Sequence, residues 1–294
     1  MALFKGSGVA IITPFTSDDQ VNYDVFGSLI DFHINNGTAA IIVSGTTGES
    51  ATLSKAEKLE LFRFSVEYAK GRIQIIAGTG SNNTKESTEL SKEAEKLGVD
   101  GLLLVTPYYN KPTQEGLFAH YKAIAEAVSI PIILYNVPGR TSINLLPETV
   151  ARLAAIPNIQ AIKEASHDLV QIKKLFGLVD SSFIIYSGND DQTQEVLEMG
   201  GLGVISVTAN VDPKSVADQI NYYLSGHADK ARQMGRDLLE FHESMFVESN
   251  PVPAKTLLRW MGFEVGSVRL PLVELQPESA DKLCSISQRF GVIK

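Results

Sequence analysis

Eight short apolar runs recur along the chain, and amphipathic segments separate them. Each run is a nearly continuous stretch of apolar residues rather than an alternating one, which is typical of strands buried on both faces of a parallel sheet. The runs cover residues 8–15, 39–45, 73–79, 101–107, 130–137, 159–165, 183–188 and 203–209. Repeating strand–helix units require right-handed crossovers, and eight such units can close into a (β/α)8 barrel.

The segments between the runs carry helix signals. Residues 54–69 open with Ser54 and have Glu57 three positions later, the spacing of a capping box. Further helices are predicted over residues 84–97 and 146–155. An open doubly wound sheet is the rival architecture, but it usually has a glycine-rich dinucleotide fingerprint after its first strand. The segment GSGVAIITPF has no such fingerprint, so we predict an α/β TIM barrel.

The barrel is predicted to occupy residues 1–224. Residues 225–294 lack further strand patterns and are predicted to form a small C-terminal α-helical domain that packs on the barrel. Its helices are expected over residues 226–247, 251–262 and 276–290, with prolines between and before them.

Composition excludes several classes of partner. The 294 residues include 44% hydrophobic and 20% charged residues, with a net charge of −8 and no block of like charges. This balance disfavours nucleic acid and anionic membranes as partners. No apolar run approaches the roughly 18 residues of a membrane span. The single cysteine, Cys284, fits a reducing compartment, so we expect a cytoplasmic protein.

Lys163 interrupts the sixth apolar run. It shares a strand face with Ile159 and Ala161 under the two-residue period. Burial among apolar residues disfavours the ammonium form, and a neutral lysine amine is a nucleophile. The alternatives are a lysine that extends out of the strand end or one paired with Glu164.

The fifth run ends in LYNVPGRT. Tyr135 lies within the run, and a phenol near a nucleophilic lysine can transfer protons, although a core tyrosine is equally compatible with the pattern. Arg140 follows in the loop, where its guanidinium suits a substrate carboxylate; a solvated loop arginine is the simpler interpretation.

Other strand ends are also polar. The turn Gly45, Thr46, Thr47 and Gly48 offers hydroxyls and backbone amides to a carboxylate. Tyr108 and Tyr109 follow the fourth run as packing or interface residues.

The SGNDD segment at 187–191, which includes Gly188, favours a turn first and site shaping second. The five histidines lack metal-ligand spacing, so we expect neither a metal nor an organic cofactor.

Taken together, the motifs resemble those of the dihydrodipicolinate synthase (4-hydroxy-tetrahydrodipicolinate synthase) family, within the N-acetylneuraminate lyase superfamily of class I aldolases. The resemblance extends into the C-terminal FVESNPVPAK at 246–255. The matching motifs are GTTGES (45–50), TPYYNKPTQEG (106–116), LYNVPGRT (134–141), AIKEAS (161–166), SGND (187–190) and GVISVTAN (203–210).

This resemblance implies a role for each matching residue. Lys163 would form a Schiff base with pyruvate, and Tyr135 and Thr46 would relay protons. Tyr109 would complete the relay from a neighbouring subunit. The remaining substrate contacts would be Thr47, Ile205 and Gly188 for pyruvate and Arg140 for the carboxylate of L-aspartate 4-semialdehyde.

The family also implies a homo-oligomer, commonly a homotetramer built as a dimer of dimers. The activity implied is the first committed step of diaminopimelate and lysine biosynthesis. N-acetylneuraminate lyase and 2-keto-3-deoxy sugar acid aldolases share the barrel and the lysine, but Thr46, Thr47 and Arg140 together favour the synthase. A catalytically silent metabolite-binding barrel is the alternative from a different class.

One departure concerns the site where lysine inhibits some family members. Histidines often follow GTTGESAT in those members, whereas this sequence has Lys55 and Lys58. Two added cations should repel a cationic effector, so we predict weak or absent lysine inhibition. The rest of that allosteric site is matched by Ser50, Ala51, Asn82, Glu86 and Tyr108.

Overall fold

Eight parallel strands close into a barrel in the computed structural model, which describes residues 3–294. Each strand pairs with its neighbours in chain order, and the eighth pairs back to the first. The strands are β1 (Gly6–Ala10), β2 (Ala40–Val43), β3 (Gln74–Gly78), β4 (Gly101–Val105), β5 (Ile132–Asn136), β6 (Ile159–Glu164), β7 (Ile184–Ser187) and β8 (Gly203–Ser206). The predicted TIM barrel is therefore confirmed; residues 1–2 of the predicted barrel domain lie outside the described residues.

Helices alternate with the strands and then continue alone. Ser54 and Glu57 form the predicted capping box at the start of the second helix. The helices are α1 (Tyr23–Asn35), α2 (Lys55–Ala69), α3 (Thr84–Lys96), α4 (Gln114–Ala125), α5 (Pro138–Thr141), α6 (Pro147–Ala154), α7 (Leu169–Phe176), α8 (Thr193–Glu198), α9 (Pro213–Leu224), α10 (Ala228–Ser244), α11 (Val252–Trp260) and α12 (Pro277–Arg289). No helix among residues 3–294 is both long enough and apolar enough to cross a membrane.

The first strand is displaced from its predicted span of residues 8–15. The backbone leaves the sheet after Ala10: Ile12 N donates to the side chain of Asn210 (3.0 Å), and Phe15 N donates to Val265 O (2.9 Å). The apolar run continues past the strand because these residues are buried by segments that follow β8.

Side chains fill the end of the barrel where the strands begin. The Phe4 ring stacks on Tyr186, with centroids 4.4 Å apart and planes 9° from parallel. The Tyr186 hydroxyl donates to Phe4 O at 2.6 Å. Gly8 makes room for this ring, since a Cβ there would lie 2.7 Å from Phe4 Cζ. The carboxyl end of the barrel therefore carries the accessible site, as in other TIM barrels.

The last three helices pack on one another and on the barrel. Helix α10 packs on α9, and the predicted domain boundary between residues 224 and 225 falls at the end of α9. Lys255 of α11 forms a buried ion pair with Glu49 (2.7 Å), which follows β2. The C-terminal segment thus contacts the barrel through charged as well as apolar groups.

Candidate active site

Strands β5 and β6 place Tyr135 and Lys163 side by side. The two residues are partners in the strand register, and Lys163 Nζ lies 4.5 Å from the centre of the Tyr135 ring. The side chains are almost fully buried, with 6% of Tyr135 and 4% of Lys163 exposed. Lys163 therefore does not extend into solvent, which removes one alternative interpretation of this residue.

Glu164 is buried on its own set of partners. Its carboxylate accepts hydrogen bonds from Asn136 Nδ2 (3.1 Å to each oxygen) and from Ser166 N (2.8 Å). Burial raises the pKa of Glu164, and these hydrogen bonds oppose the shift. Glu164 thus links the ends of β5 and β6 and is not paired with Lys163. This role of Glu164 was not predicted from the sequence, where Glu164 was considered only as a partner of Lys163.

The Thr46 and Thr47 turn lies at the end of β2. Thr47 is buried, and its hydroxyl accepts a hydrogen bond from Asn250 Nδ2 at 2.8 Å. The turn also depends on Gly48, where a Cβ would lie 3.1 Å from Ile11 O. Asn250 was missed as a separate site residue, although its motif was recognised, because no local pattern indicates that it meets a turn 203 positions away.

A cavity of about 500 Å³ opens between these loops. Thr46, Tyr135 and Arg140 line it together with Asn250. Arg140 lies on α5 immediately after β5, and its guanidinium is 3.5 Å from Asn250 O. A hydroxyl, a phenol and a guanidinium therefore converge on one space, with Lys163 in contact with the Tyr135 ring.

Tyr109 is not brought to this group within one chain. Its side chain is 89% exposed, and its backbone is in the left-handed region (φ 71°). The neighbouring Tyr108 lines the cavity instead.

Gly188 lies where β7 and β6 end close together. Gly188 N donates to Glu164 O at 2.7 Å. A Cβ at Gly188 would lie 2.6 Å from Ala165 Cβ. The close approach of the two strand ends therefore requires glycine at this position.

Ile205 is fully buried on β8, within the barrel interior. The backbone just beyond it is held by Asp190, whose Oδ2 accepts from Val207 N (2.9 Å) and Thr208 N (3.1 Å). Asp190 belongs to the SGNDD segment, and its role was not predicted from the sequence.

The residues matched to the lysine effector site separate into two groups. Lys58 is half-buried, and burial lowers its pKa while Glu86 opposes the shift. Lys55 faces away and forms an ion pair with Glu93 at 2.8 Å, and the Asn82 carbonyl accepts from Asn110 Nδ2 at 2.9 Å. Five of the residues line the same cavity: Ser50, Ala51, Lys58, Glu86 and Tyr108.

A buried lysine against a tyrosine, inside a (β/α)8 barrel and beside a cavity that Thr46, Tyr135 and Arg140 line, is the arrangement typical of barrel enzymes of the class I aldolase type, which use a lysine nucleophile. The sequence profile of the Dihydrodipicolinate synthetase family matches residues 3–289. The chain is also similar to the 4-hydroxy-tetrahydrodipicolinate synthase of Thermoanaerobacter sp. (strain X514), with 49% identity over 295 residues covering 100% of this chain and 99% of that protein.

Solved structures agree with the sequence match. The chloride-inhibited dihydrodipicolinate synthase of Acinetobacter baumannii complexed with pyruvate has a TM-score of 0.96 and 44% identity, covering 99% of this chain and 100% of that chain. The lysine-bound enzyme of Cyanidioschyzon merolae has a TM-score of 0.96 and 41% identity, covering 100% of both chains. The chain belongs to the dihydrodipicolinate synthetase family.

Proposed function

We propose that this protein is a lyase that condenses pyruvate with L-aspartate 4-semialdehyde to give 4-hydroxy-tetrahydrodipicolinate. This reaction is the first committed step of diaminopimelate and lysine biosynthesis. The observation that carries the proposal is the buried contact between Lys163 and Tyr135. Its family relatives are named for this synthase activity, and the Acinetobacter baumannii relative is complexed with pyruvate.

The chemistry begins with the amine of Lys163. The neutral amine attacks the pyruvate ketone, and the carbinolamine loses water to give a protonated imine. Loss of a methyl proton then yields an enamine, which forms a carbon–carbon bond with the aldehyde of the second substrate. The amino group of that substrate attacks the imine carbon and closes the ring, and the bond to Lys163 breaks.

Proton transfer is assigned to Tyr135, Thr46 and Tyr109. Tyr135 is in contact with the lysine, and Thr46 lines the same cavity. Tyr109 is exposed in a single chain, which supports its contribution from a neighbouring copy. We therefore propose a homo-oligomer, and membership of the family extends this proposal to a homotetramer built as a dimer of dimers.

Substrate binding is assigned to Arg140, which lines the cavity, and to residues near the carboxyl ends of β2, β7 and β8. Thr47, Gly188 and the backbone near Ile205 are proposed to bind pyruvate, and Arg140 to bind the carboxylate of aspartate semialdehyde. We place the protein in the cytoplasm, where a lone cysteine such as Cys284 stays reduced.

Lysine is proposed to inhibit this protein weakly or not at all. Lys58 contributes a cation to the cavity wall, which would repel a cationic effector. Lys55 adds little to that repulsion, because its ammonium is paired with Glu93. An inhibition constant for lysine in the submillimolar range would contradict the proposal.

Borohydride trapping tests the proposed nucleophile. Incubation with pyruvate and borohydride should add one reduced three-carbon unit to Lys163, detected by mass spectrometry of the peptide. Lys163→Ala should abolish the adduct, whereas Lys173→Ala, at an exposed site on α7, should not. Absence of the adduct in the unsubstituted protein would support the catalytically silent barrel.

A coupled assay distinguishes the synthase from its sister enzymes. Aspartate semialdehyde should be consumed together with pyruvate, whereas N-acetylmannosamine and sugar-derived aldehydes should not react. Turnover of those aldehydes in place of aspartate semialdehyde would assign the chain to the N-acetylneuraminate lyases or to the 2-keto-3-deoxy sugar acid aldolases.

A further inference from the structure

The 46–49 turn makes few hydrogen bonds to the barrel itself. Its backbone closes through Glu49 N, which donates to Thr46 O at 3.1 Å. Thr13 Oγ1 donates to Gly48 O at 2.7 Å. Glu49 has a left-handed backbone (φ 56°), a conformation that is unfavourable for a residue with a side chain unless its surroundings hold it.

The C-terminal segment supplies the side-chain partners of this turn. Glu49 Oε1 accepts from Lys255 Nζ at 2.7 Å, and Glu49 Oε2 accepts from Arg269 N at 2.9 Å. Asn250 Nδ2 donates to the Thr47 hydroxyl at 2.8 Å. The turn is thus joined to residues 250–269 at three points, and two of them involve Glu49.

The ion pair between Glu49 and Lys255 is shielded from water. Each side chain is 1% exposed. Lys255 Nζ also donates to Ser267 O at 2.8 Å and lies 4.1 Å from the centre of the Phe15 ring. Burial lowers the pKa of Lys255 to about 8, and the charge and hydrogen bond of Glu49 oppose this shift. A buried ion pair is weak evidence for stability, since apolar residues of similar size often replace it without loss.

We propose that Glu49 and Lys255 are positioning residues, which hold the Thr46 and Thr47 turn in the geometry that binds pyruvate and relays protons to its adduct with Lys163. The C-terminal segment then affects the reaction through this pair, although it contributes neither the nucleophile Lys163 nor the phenol of Tyr135. The inference rests on the proposed function, because it assigns the turn to pyruvate.

Stability and positioning can be separated by comparing single and double substitutions. Glu49→Leu or Lys255→Met alone leaves one buried charge without a partner and should lower the melting temperature. The double variant Glu49→Leu/Lys255→Met removes both charges and should recover most of that loss. Its turn loses the two anchors at Glu49 and keeps, as a link to residues 250–269, only the hydrogen bond from Asn250 to Thr47. The KM for pyruvate should therefore stay raised by roughly tenfold or more, with borohydride trapping slowed to match.

A second ion pair in the same segment provides the control. Arg289 of α12 pairs with Glu240 of α10 (2.5 Å from Nη2 to Oε1), and both side chains are more than half exposed. Arg289→Met/Glu240→Leu should leave the KM for pyruvate unchanged, whatever its effect on the melting temperature.

The outcomes distinguish this inference from the proposed function. If the unsubstituted protein forms no pyruvate adduct, the proposed function fails. If it forms the adduct, and the folded Glu49→Leu/Lys255→Met variant has an unchanged KM for pyruvate, the pair is only structural and the inference is wrong.

If the double variant does not fold, Glu49→Gln and Lys255→Arg test the proposal instead. Glu49→Gln keeps the size of the side chain but loses its charge, and should raise the KM for pyruvate. Lys255→Arg keeps the positive charge, and should bind pyruvate better than Lys255→Met. Equal KM values for pyruvate in these variants and in the unsubstituted protein would overturn the proposal.

Discussion

Replacing Phe4 by alanine should destabilise the barrel from the end opposite the active site. The ring is 6% exposed and stacks on Tyr186 at 4.4 Å. Truncating a buried phenylalanine costs about 3–5 kcal/mol. The hydrogen bond from the Tyr186 hydroxyl reaches the backbone of Phe4 (2.6 Å) and survives the substitution. We therefore expect a loss near the lower value, about 3 kcal/mol.

Gly8→Ala gives a matched perturbation of the same contact. Its new methyl group would lie 2.7 Å from Phe4 Cζ and 3.1 Å from Ile42 Cδ1. Overpacking of this kind costs about 1–3 kcal/mol. In the double variant the methyl group occupies part of the space left by the ring. The combined loss should then be smaller than the sum of the single losses by about 1–2 kcal/mol.

The unsubstituted protein, the two single variants and the double variant form a double-mutant cycle. Urea unfolding followed by circular dichroism, at one protein concentration, measures the free energy of unfolding of all four. Phe246→Ala serves as the control, because that ring is 49% exposed and should cost less than about 1 kcal/mol. Strictly additive losses for Phe4→Ala and Gly8→Ala would refute the reasoning, since the two groups would then not share one space.

Three further predictions concern pH, the glycine at the strand ends and the second substrate. Burial lowers the pKa of His33 to about 3, against about 6.5 in the unfolded chain. The unfolded state therefore binds more protons between these values, and His33 should reduce the free energy of unfolding by about 2 kcal/mol between pH 7 and pH 5. His33→Gln should weaken this dependence in urea titrations, and an unchanged dependence would contradict the prediction. Gly188→Ala should lower stability by about 1–3 kcal/mol, measured by thermal unfolding, because its Cβ would meet Ala165; unaltered unfolding would show that the strand ends can separate freely. Arg140→Ala should raise the KM for aspartate semialdehyde roughly 10- to 100-fold while pyruvate trapping continues, and a parallel loss of trapping would place Arg140 on pyruvate instead.

Local patterns were sufficient to predict the architecture. The eight apolar runs correspond to the eight strands, because burial on both faces leaves a continuous apolar stretch. The C-terminal helices were predicted to within a few residues of their ends. The first strand was misplaced because Ile12 and Phe15 are equally apolar but buried by other segments.

Local patterns also identified the strand-borne residues of the candidate site. The two-residue period grouped Lys163 with Ala161 on one strand face, and Tyr135 was singled out by its position within the fifth apolar run. The register of β5 and β6 makes the two residues neighbours. Periodicity reports which face of a strand a side chain is on, so residues carried by strands can be inferred from sequence.

By itself, the sequence determined the fold, the family and the strand-borne residues of the site. Only the tertiary structure decided which distant groups meet. Glu49 and Lys255 are 206 positions apart, and Lys55 turned out to pair with Glu93 rather than face the cavity. The physical reason is that periodicity and capping act over a few neighbouring residues, whereas the partner of a charged side chain depends on how the closed barrel brings its loops and terminal helices together.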